Sequence, residues 1–95
     1  LPDFERTVHS KSSYVEVDIY CKNPLVIAEA TTFLGKSEWE KLENFAKVGA
    51  LVANTEGKRP EMLFCTFGVH HSIRIKVAKF CAQHNIELVM DETTN

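Results

Sequence analysis

The sequence predicts an α/β domain in which helices flank a mixed sheet. Three observations predict it: a strictly alternating segment near the amino terminus, short apolar runs further along, and helical stripes between those runs. Short connections between the first three predicted strands favour a meander, whereas strands that follow helices favour parallel crossovers. We therefore expect a three-strand meander followed by helix, strand, helix and strand.

The meander is predicted from three neighbouring segments. The first is "FERTVH" at residues 4–9, and the second is "YVEVDIYC" at residues 14–21, where apolar and polar side chains alternate. Asn23 and Pro24 favour a turn. The run "LVIAEA" at residues 25–30 is mostly apolar, which is typical of a strand covered on both faces.

The first helix is predicted to begin near Ser37, because Ser37 and Glu40 have the spacing of a capping box. An exposed connection at residues 55–61 and a buried strand at residues 62–67 follow. The inward stripe of this helix is predicted to comprise Trp39, Leu42, Phe45, Ala46, Gly49 and Ala53.

The second helix is predicted over residues 70–84, and Asn85 suits a left-handed stop after it. Residues 86–90, "IELVM", form the last predicted strand, and residues 91–95 are predicted to fray or to be truncated. The inward positions of the second helix are predicted to be Ile73, Val77, Phe80 and Cys81.

Composition predicts one ordinary globular domain over residues 1–95. The 95 residues are 44% hydrophobic and 25% charged, and nothing in the net charge of -2 indicates a strongly basic nucleic-acid binder; an enzyme that touches nucleic acid transiently stays open. We find no transmembrane run and no signal peptide, so we expect no membrane association. Cys21, Cys65 and Cys81 lie in apolar runs, which predicts buried free thiols in a reducing, cytoplasmic compartment.

Glu29 raises a question, because it stands inside an apolar strand. It shares a strand face with Ile27 and Thr31, while Glu16 and Asp18 share a face on the preceding strand. Pairing through the short turn would bring Asp18 close to Glu29. Two neighbouring carboxylates that lose water are costly unless a cation compensates them, and oxygen ligands suit Mg²⁺ or Mn²⁺. The alternative is strand acids that face water or a salt-bridge partner, and it stays open above all for Glu16.

The segments "EVDIY" and "VIAEAT", with ten residues between Asp18 and Glu29, resemble the PD-(D/E)XK, or restriction-endonuclease-like, nuclease superfamily. The chain looks closest to small archaeal-type members of uncertain function. The resemblance covers nearly the whole chain, including the capped helix and the later strand–helix–strand unit. It implies hydrolysis of DNA phosphodiesters by an endonuclease or exonuclease.

The resemblance also implies roles for individual residues. Asp18 and Glu29 would hold the divalent metal, and the backbone carbonyl of Ala30 would add a ligand. The family's lysine two positions beyond the glutamate is absent, because position 31 is a threonine. Lys36 and Lys41 are the candidates for a migrated lysine, and the alternative is that both are ordinary solvated lysines.

Members of the family usually carry a helix before the first strand, and nothing before Phe4 can supply it. We expect either that this helix is missing from the chain or that another subunit covers the sheet face, as in a homodimer. The functional alternative to a nuclease is a catalytically inactive domain of the same fold that serves DNA binding, protein binding or dimerisation. His70 and His71, at a helix start, are either polar helix-start residues or a weaker candidate for a metal or general-base role.

Overall fold

A computed structural model describes the backbone of residues 4–9 and 14–90 and the side chains of residues 18–90. It confirms an α/β domain with a mixed sheet and two α-helices. The elements are β1 (Phe4–His9), β2 (Tyr14–Lys22), β3 (Leu25–Leu34), α1 (Trp39–Glu56), β4 (Glu61–Val69), α2 (Arg74–Gln83) and β5 (Ile86–Met90), with 3₁₀ turns at Lys36–Glu38 and His71–Ile73 before the two helices. The predicted end at residues 91–95 lies outside the described part.

The five strands lie side by side in chain order. The first three form an antiparallel meander, and β4 and β5 join β3 in parallel. Two right-handed crossovers that advance in the same direction place their helices on the same face. In the described chain, side chains of both helices and of the sheet share a single buried cluster, so α1 and α2 cover one face rather than one each.

The core lies between the helices and the even-numbered positions of β4. Phe64 is fully buried, and its ring centroid lies 5.7 Å from that of Phe45 on α1. The inward stripe of α1 is rotated slightly from the prediction: Trp39, Ala46 and Ala53 are only partly buried. The buried positions are Leu42, Phe45, Val48, Gly49 and Val52. A Cβ at Gly49 would collide with Met62, so this glycine allows α1 to approach β4 closely.

The first helical segment begins near Ser37 as predicted, since a 3₁₀ turn at Lys36–Glu38 leads into α1, but the predicted capping box of Ser37 and Glu40 is wrong. Gly35 is extended and precedes the 3₁₀ turn, and its N–H donates to Glu38 Oε1 at 2.8 Å. Ser37 Oγ instead donates to the other oxygen of Glu38 at 2.7 Å. Glu38 therefore makes the capping contact predicted for Glu40. At the other end, Gly57 in left-handed geometry (φ 74°) ends α1, and Asn85 (φ 55°) follows α2 as predicted.

The sheet face away from the helices carries exposed apolar side chains. Phe67 is 66% exposed, and Ile19 and Val89 are also exposed. The three cysteines are free thiols; Cys21 and Cys81 are buried as predicted, whereas Cys65 is only partly buried, since it points to this face. Burial raises the pKa of the Cys81 thiol. Neither helix of the described chain is both long and apolar enough to cross a membrane.

The one-sided architecture predicts contrasting effects for two phenylalanines of β4. Phe64→Ala should lower the free energy of unfolding by about 3–5 kcal/mol, because it removes a buried ring from the helix-covered face. Phe67→Ala, the matched control on the open face, should change it by less than about 1 kcal/mol. Urea unfolding followed by circular dichroism measures both. Equal losses for the two variants would show that the open face is also buried.

Candidate functional site

Asp18 and Glu29 meet at the end of the β2–β3 ladder. The paired register runs from Lys22 opposite Leu25 to Ile19 opposite Ala28. The next position on each strand is Asp18 and Glu29. The short turn between the strands therefore brings the two acidic residues together, as the sequence predicted.

Each carboxylate accepts a hydrogen bond from the backbone of the other strand. The N–H of Asp18 donates to Glu29 Oε1 at 3.1 Å, and the N–H of Ala30 donates to Asp18 Oδ2 at 2.8 Å. These two bonds satisfy backbone donors where the regular ladder stops. The acidic side chains thus hold β2 and β3 together in addition to any further role.

Lys41 reaches this pair from the first turns of α1. Its Nζ donates to the carbonyl oxygen of Ala30 at 2.9 Å and lies 3.7 Å from Glu29 Oε2. The Lys41 side chain is 40% exposed and that of Glu29 is 15% exposed. The structure therefore brings together four predicted site residues: Asp18, Glu29, Ala30 and Lys41.

The remaining predicted residues lie apart from that group. Lys36 lines a separate cavity at the ends of β3 and β4. Thr31 lies between the two places, because it lines both that cavity and a groove shared with Lys41. The backbone of Glu16 pairs with Thr7 on β1, but its side chain lies outside the described part of the structure.

The electrostatics of Glu29 reflect its position. Burial raises the pKa of its carboxyl above the ordinary value, and the negative charge of Asp18 raises it further. The hydrogen bond from the Asp18 amide and the positive charge of Lys41 act in the opposite direction. The carboxylate is thus held in a partly desolvated place that favours a nearby cation.

The oxygen atoms at this place form a donor set of the kind that Mg²⁺ or Mn²⁺ takes. Two carboxylates and one backbone carbonyl are hard ligands, and Mg²⁺ is commonly held by one or two carboxylates while it keeps several waters. Within the described side chains there is no group of three or more His, Cys, Asp or Glu that could hold a metal. The residues fit a metal that relies on water and substrate oxygens for its remaining ligands.

No protein-family model, curated protein or solved structure matches this chain. The likeness to PD-(D/E)XK nucleases therefore depends on the residues and element order of the chain itself.

Sequence reasoning overlooked Phe33. This side chain is 48% exposed and lines the same cavity as Lys36. Strand alternation did not single it out, because the phase of burial changes near Thr32: Thr31 is half buried, Phe33 is exposed, and Leu34 is fully buried. The nearby pair Gly35 and Gly68 was the available signal, since glycines leave space around a large ring.

The contact between Lys41 and Glu29 predicts a further rise of the Glu29 pKa in Lys41→Met, because the variant loses the positive charge that lowers it. Carboxyl-carbon NMR titration measures this value. Lys47→Met, an exposed lysine on the same helix, should leave it unchanged. An unchanged Glu29 titration in Lys41→Met would mean that the two side chains are not coupled in solution.

The raised pKa of Glu29 also predicts the sign of a pH effect on stability. Between the ordinary glutamate value of 4.5 and the raised folded value, the folded state binds more protons than the unfolded state. This group's contribution to the free energy of unfolding must therefore fall as pH rises through that window. Subtracting the pH profile of Glu29→Gln from that of the wild type isolates the contribution. A difference that grows with pH would contradict the assignment.

Proposed function

We propose that this chain is a metal-dependent phosphodiesterase of the PD-(D/E)XK kind that hydrolyses DNA, with Lys41 in the role of the lysine that position 31 lacks. The observation that carries the proposal is the position of Lys41 Nζ, 2.9 Å from the Ala30 carbonyl oxygen and 3.7 Å from Glu29 Oε2. A lysine supplied by the helix after β3 thus arrives at the carboxylates that the resemblance marks as metal ligands.

Asp18, Glu29 and the Ala30 carbonyl would hold Mg²⁺ or Mn²⁺. When bound, such an ion supplies a Lewis acid that activates water and offsets charge on the phosphate. The residues contribute fixed positions: the two cross-strand hydrogen bonds orient the carboxylates before any ligand arrives. A preorganised site of this type loses little free energy to reorganisation during the reaction.

Lys41 would stabilise the phosphate and orient the attacking water. Its ammonium group is on a flexible four-carbon stem, so it can leave the Ala30 carbonyl for a phosphate oxygen that enters the groove. The groove that it shares with Thr31 and Phe67 is also lined by Ala30, the residue whose carbonyl accepts the hydrogen bond from Lys41. Thr31 is too short to carry out this role, but its small size leaves the groove accessible.

A catalytically inactive domain is the second candidate, and the same contact favours it. The Lys41 ammonium already supplies positive charge next to Glu29, so the carboxylates are compensated in a metal-free protein. In that case the exposed apolar face that includes Phe67 would serve a protein partner or a second copy of the chain.

A cleavage assay with Mn²⁺ or Mg²⁺, on supercoiled plasmid and on a single-stranded oligonucleotide, separates the candidates. We expect cleavage of at least one of these substrates that Glu29→Gln abolishes and that Lys41→Ala reduces by about 10²–10³, the usual effect of removing one preorganised charge. Lys47→Ala makes the same charge change six residues further along α1, at an exposed position, and should retain wild-type activity. Cleavage that survives in Lys41→Ala would remove Lys41 from the mechanism, and absence of cleavage in the wild type would favour the inactive domain.

The double variant Thr31→Lys/Lys41→Ala tests whether the lysine has migrated. A lysine at position 31 would return the charge to the position that the family uses. We therefore expect the double variant to recover the cleavage lost in Lys41→Ala, measured in the same assay on both substrates. A double variant that binds metal but stays inactive would contradict the idea that the two positions are equivalent.

Metal binding can be measured without activity. The Lys41 ammonium competes with a cation for the Ala30 carbonyl, so Lys41→Met should bind Mn²⁺ more tightly than the wild type in calorimetry. Asp18→Asn should weaken binding, because it removes a charged ligand. Wild-type affinity in both variants would place any metal at another position.

A further inference from the structure

The cavity that Lys36 lines opens at the carboxyl ends of the parallel strands β3 and β4, apart from the carboxylate site. It has a volume of about 830 Å³, within the roughly 300–1,000 Å³ typical of small-ligand sites. Its lining combines hydroxyl groups, one lysine, one histidine and one large aromatic ring. The lining includes Thr31, Phe33, Lys36, Glu38 and His70.

Phe33 is the apolar part of this cavity. Its ring is 48% exposed, although the adjacent Leu34 is fully buried. Gly35 and Gly68 lie beside the ring: a Cβ at Gly68 would come 3.4 Å from Phe33 Cε1, and one at Gly35 would come 3.8 Å from Cε2. Because these two residues have no side chain, the backbone can pack close to the Phe33 ring while much of the ring stays open to the cavity.

His70 fixes the ring from another side. The two rings meet edge to face at 85°, with centroids 6.3 Å apart. The N–H of Ser72 donates to His70 Nδ1 at 3.1 Å, and the Ser72 hydroxyl oxygen lies 2.7 Å from the same nitrogen. His71 stacks on His70 with centroids 4.4 Å apart. Phe33 is therefore a positioned aromatic surface rather than a loose exposed side chain.

The charges around the cavity favour a neutral aromatic ligand beside Phe33. Glu38 is held ionised, because hydrogen bonds from the Ser37 hydroxyl and from the Gly35 N–H lower its pKa. A phosphate group next to this carboxylate would be repelled. Lys36, which is exposed at the same cavity, offers the only lysine charge in its lining and suits a phosphate further out.

We propose that this cavity binds an unstacked nucleobase of single-stranded DNA, with Phe33 as the stacking surface and Lys36 contacting the adjoining phosphate. Bases inside a duplex have both faces covered by their neighbours, so only an unpaired or extruded base can lie on Phe33. The inference rests on the proposed function and deepens it, because it names single-stranded DNA, or a single-stranded end, as the substrate class.

Thr31 connects the cavity with the carboxylate site, since it lines both the cavity and the groove that contains Lys41. Phe33 follows Glu29 by four residues of strand, which span about 13 Å. A single strand with one phosphate at the carboxylates would cover this distance within a few nucleotides and could place a base on Phe33.

The test is fluorescence anisotropy of labelled oligonucleotides in EDTA, so that binding is measured without metal and without cleavage. The probes are a short single-stranded oligothymidylate, an abasic strand with the same number of phosphates, and the corresponding duplex. The wild type should bind oligothymidylate about 5- to 100-fold more tightly than the abasic strand, the usual contribution of one stacked base. It should also prefer the single strand to the duplex.

Phe33→Ala should reduce binding of oligothymidylate to the level of the abasic strand, whereas Phe33→Trp should retain the preference. Ile75→Ala removes an apolar side chain that is 74% exposed on α2, outside the cavity lining, and should bind like the wild type. Thermal unfolding of each variant confirms that it is folded.

Three results would overturn the proposal: no detectable binding, equal binding of the abasic strand by the wild type, or wild-type affinity in Phe33→Ala. The cleavage assay tests the proposed nuclease activity separately from this binding measurement. DNA cleavage by the wild type, together with unchanged binding in Phe33→Ala, would support the nuclease proposal and contradict the nucleobase site. Base-dependent binding without DNA cleavage would support the nucleobase site and contradict the nuclease proposal.

Discussion

The arrangement of the candidate site depends on how the negative charge of the Glu29 carboxylate is compensated. A carboxylate in an inner strand loses water, and Asp18 next to it adds repulsion, so its charge has to be balanced locally. The chain does this with contacts from two elements: the Asp18 amide on β2 and the Lys41 ammonium on α1. Because these partners come from the meander and from the first crossover, the contacts of Glu29 link β2, β3 and α1, whereas the buried apolar cluster holds the helix on the sheet.

In the proposed function, the same contacts would hold the carboxylates in place for hydrolysis. A bound metal ion and the Lys41 ammonium would compete for the same oxygen, because the Ala30 carbonyl that would bind the metal accepts a hydrogen bond from Lys41. In the proposed mechanism, Lys41 contacts the Ala30 carbonyl in the metal-free protein and moves to a phosphate oxygen when metal and DNA are bound. From this site the open surface continues past Thr31 to Phe33 at the carboxyl ends of β3 and β4. A strand of DNA that follows this path would meet the charged site first and the aromatic ring next.

The sequence predicts the strands and the acidic pair well, because alternation and a short turn determine which residues face each other. It predicts Asn85 as a helix stop for a similarly local reason, its tolerance of left-handed geometry. It does not choose between Lys36 and Lys41, since their distances to Glu29 depend on the packing of α1. The predicted capping box of Ser37 and Glu40 was wrong because Glu38 and Glu40 both follow a possible capping residue by three positions. The structure pairs Gly35 with Glu38. The exposure of Phe33 depends on a change of strand phase that no periodic pattern shows.

The central claim is that Asp18, Glu29 and the Ala30 carbonyl form a cation site from which Lys41 is displaced. Crystals grown with Mn²⁺ test this most directly, because anomalous scattering locates manganese without reference to activity. The account predicts one strong peak bonded to both carboxylates and to the Ala30 carbonyl oxygen, with Lys41 Nζ no longer within hydrogen-bonding distance of that carbonyl. Crystals at saturating Mn²⁺ with no peak there, and with the bond from Lys41 to Ala30 intact, would contradict it.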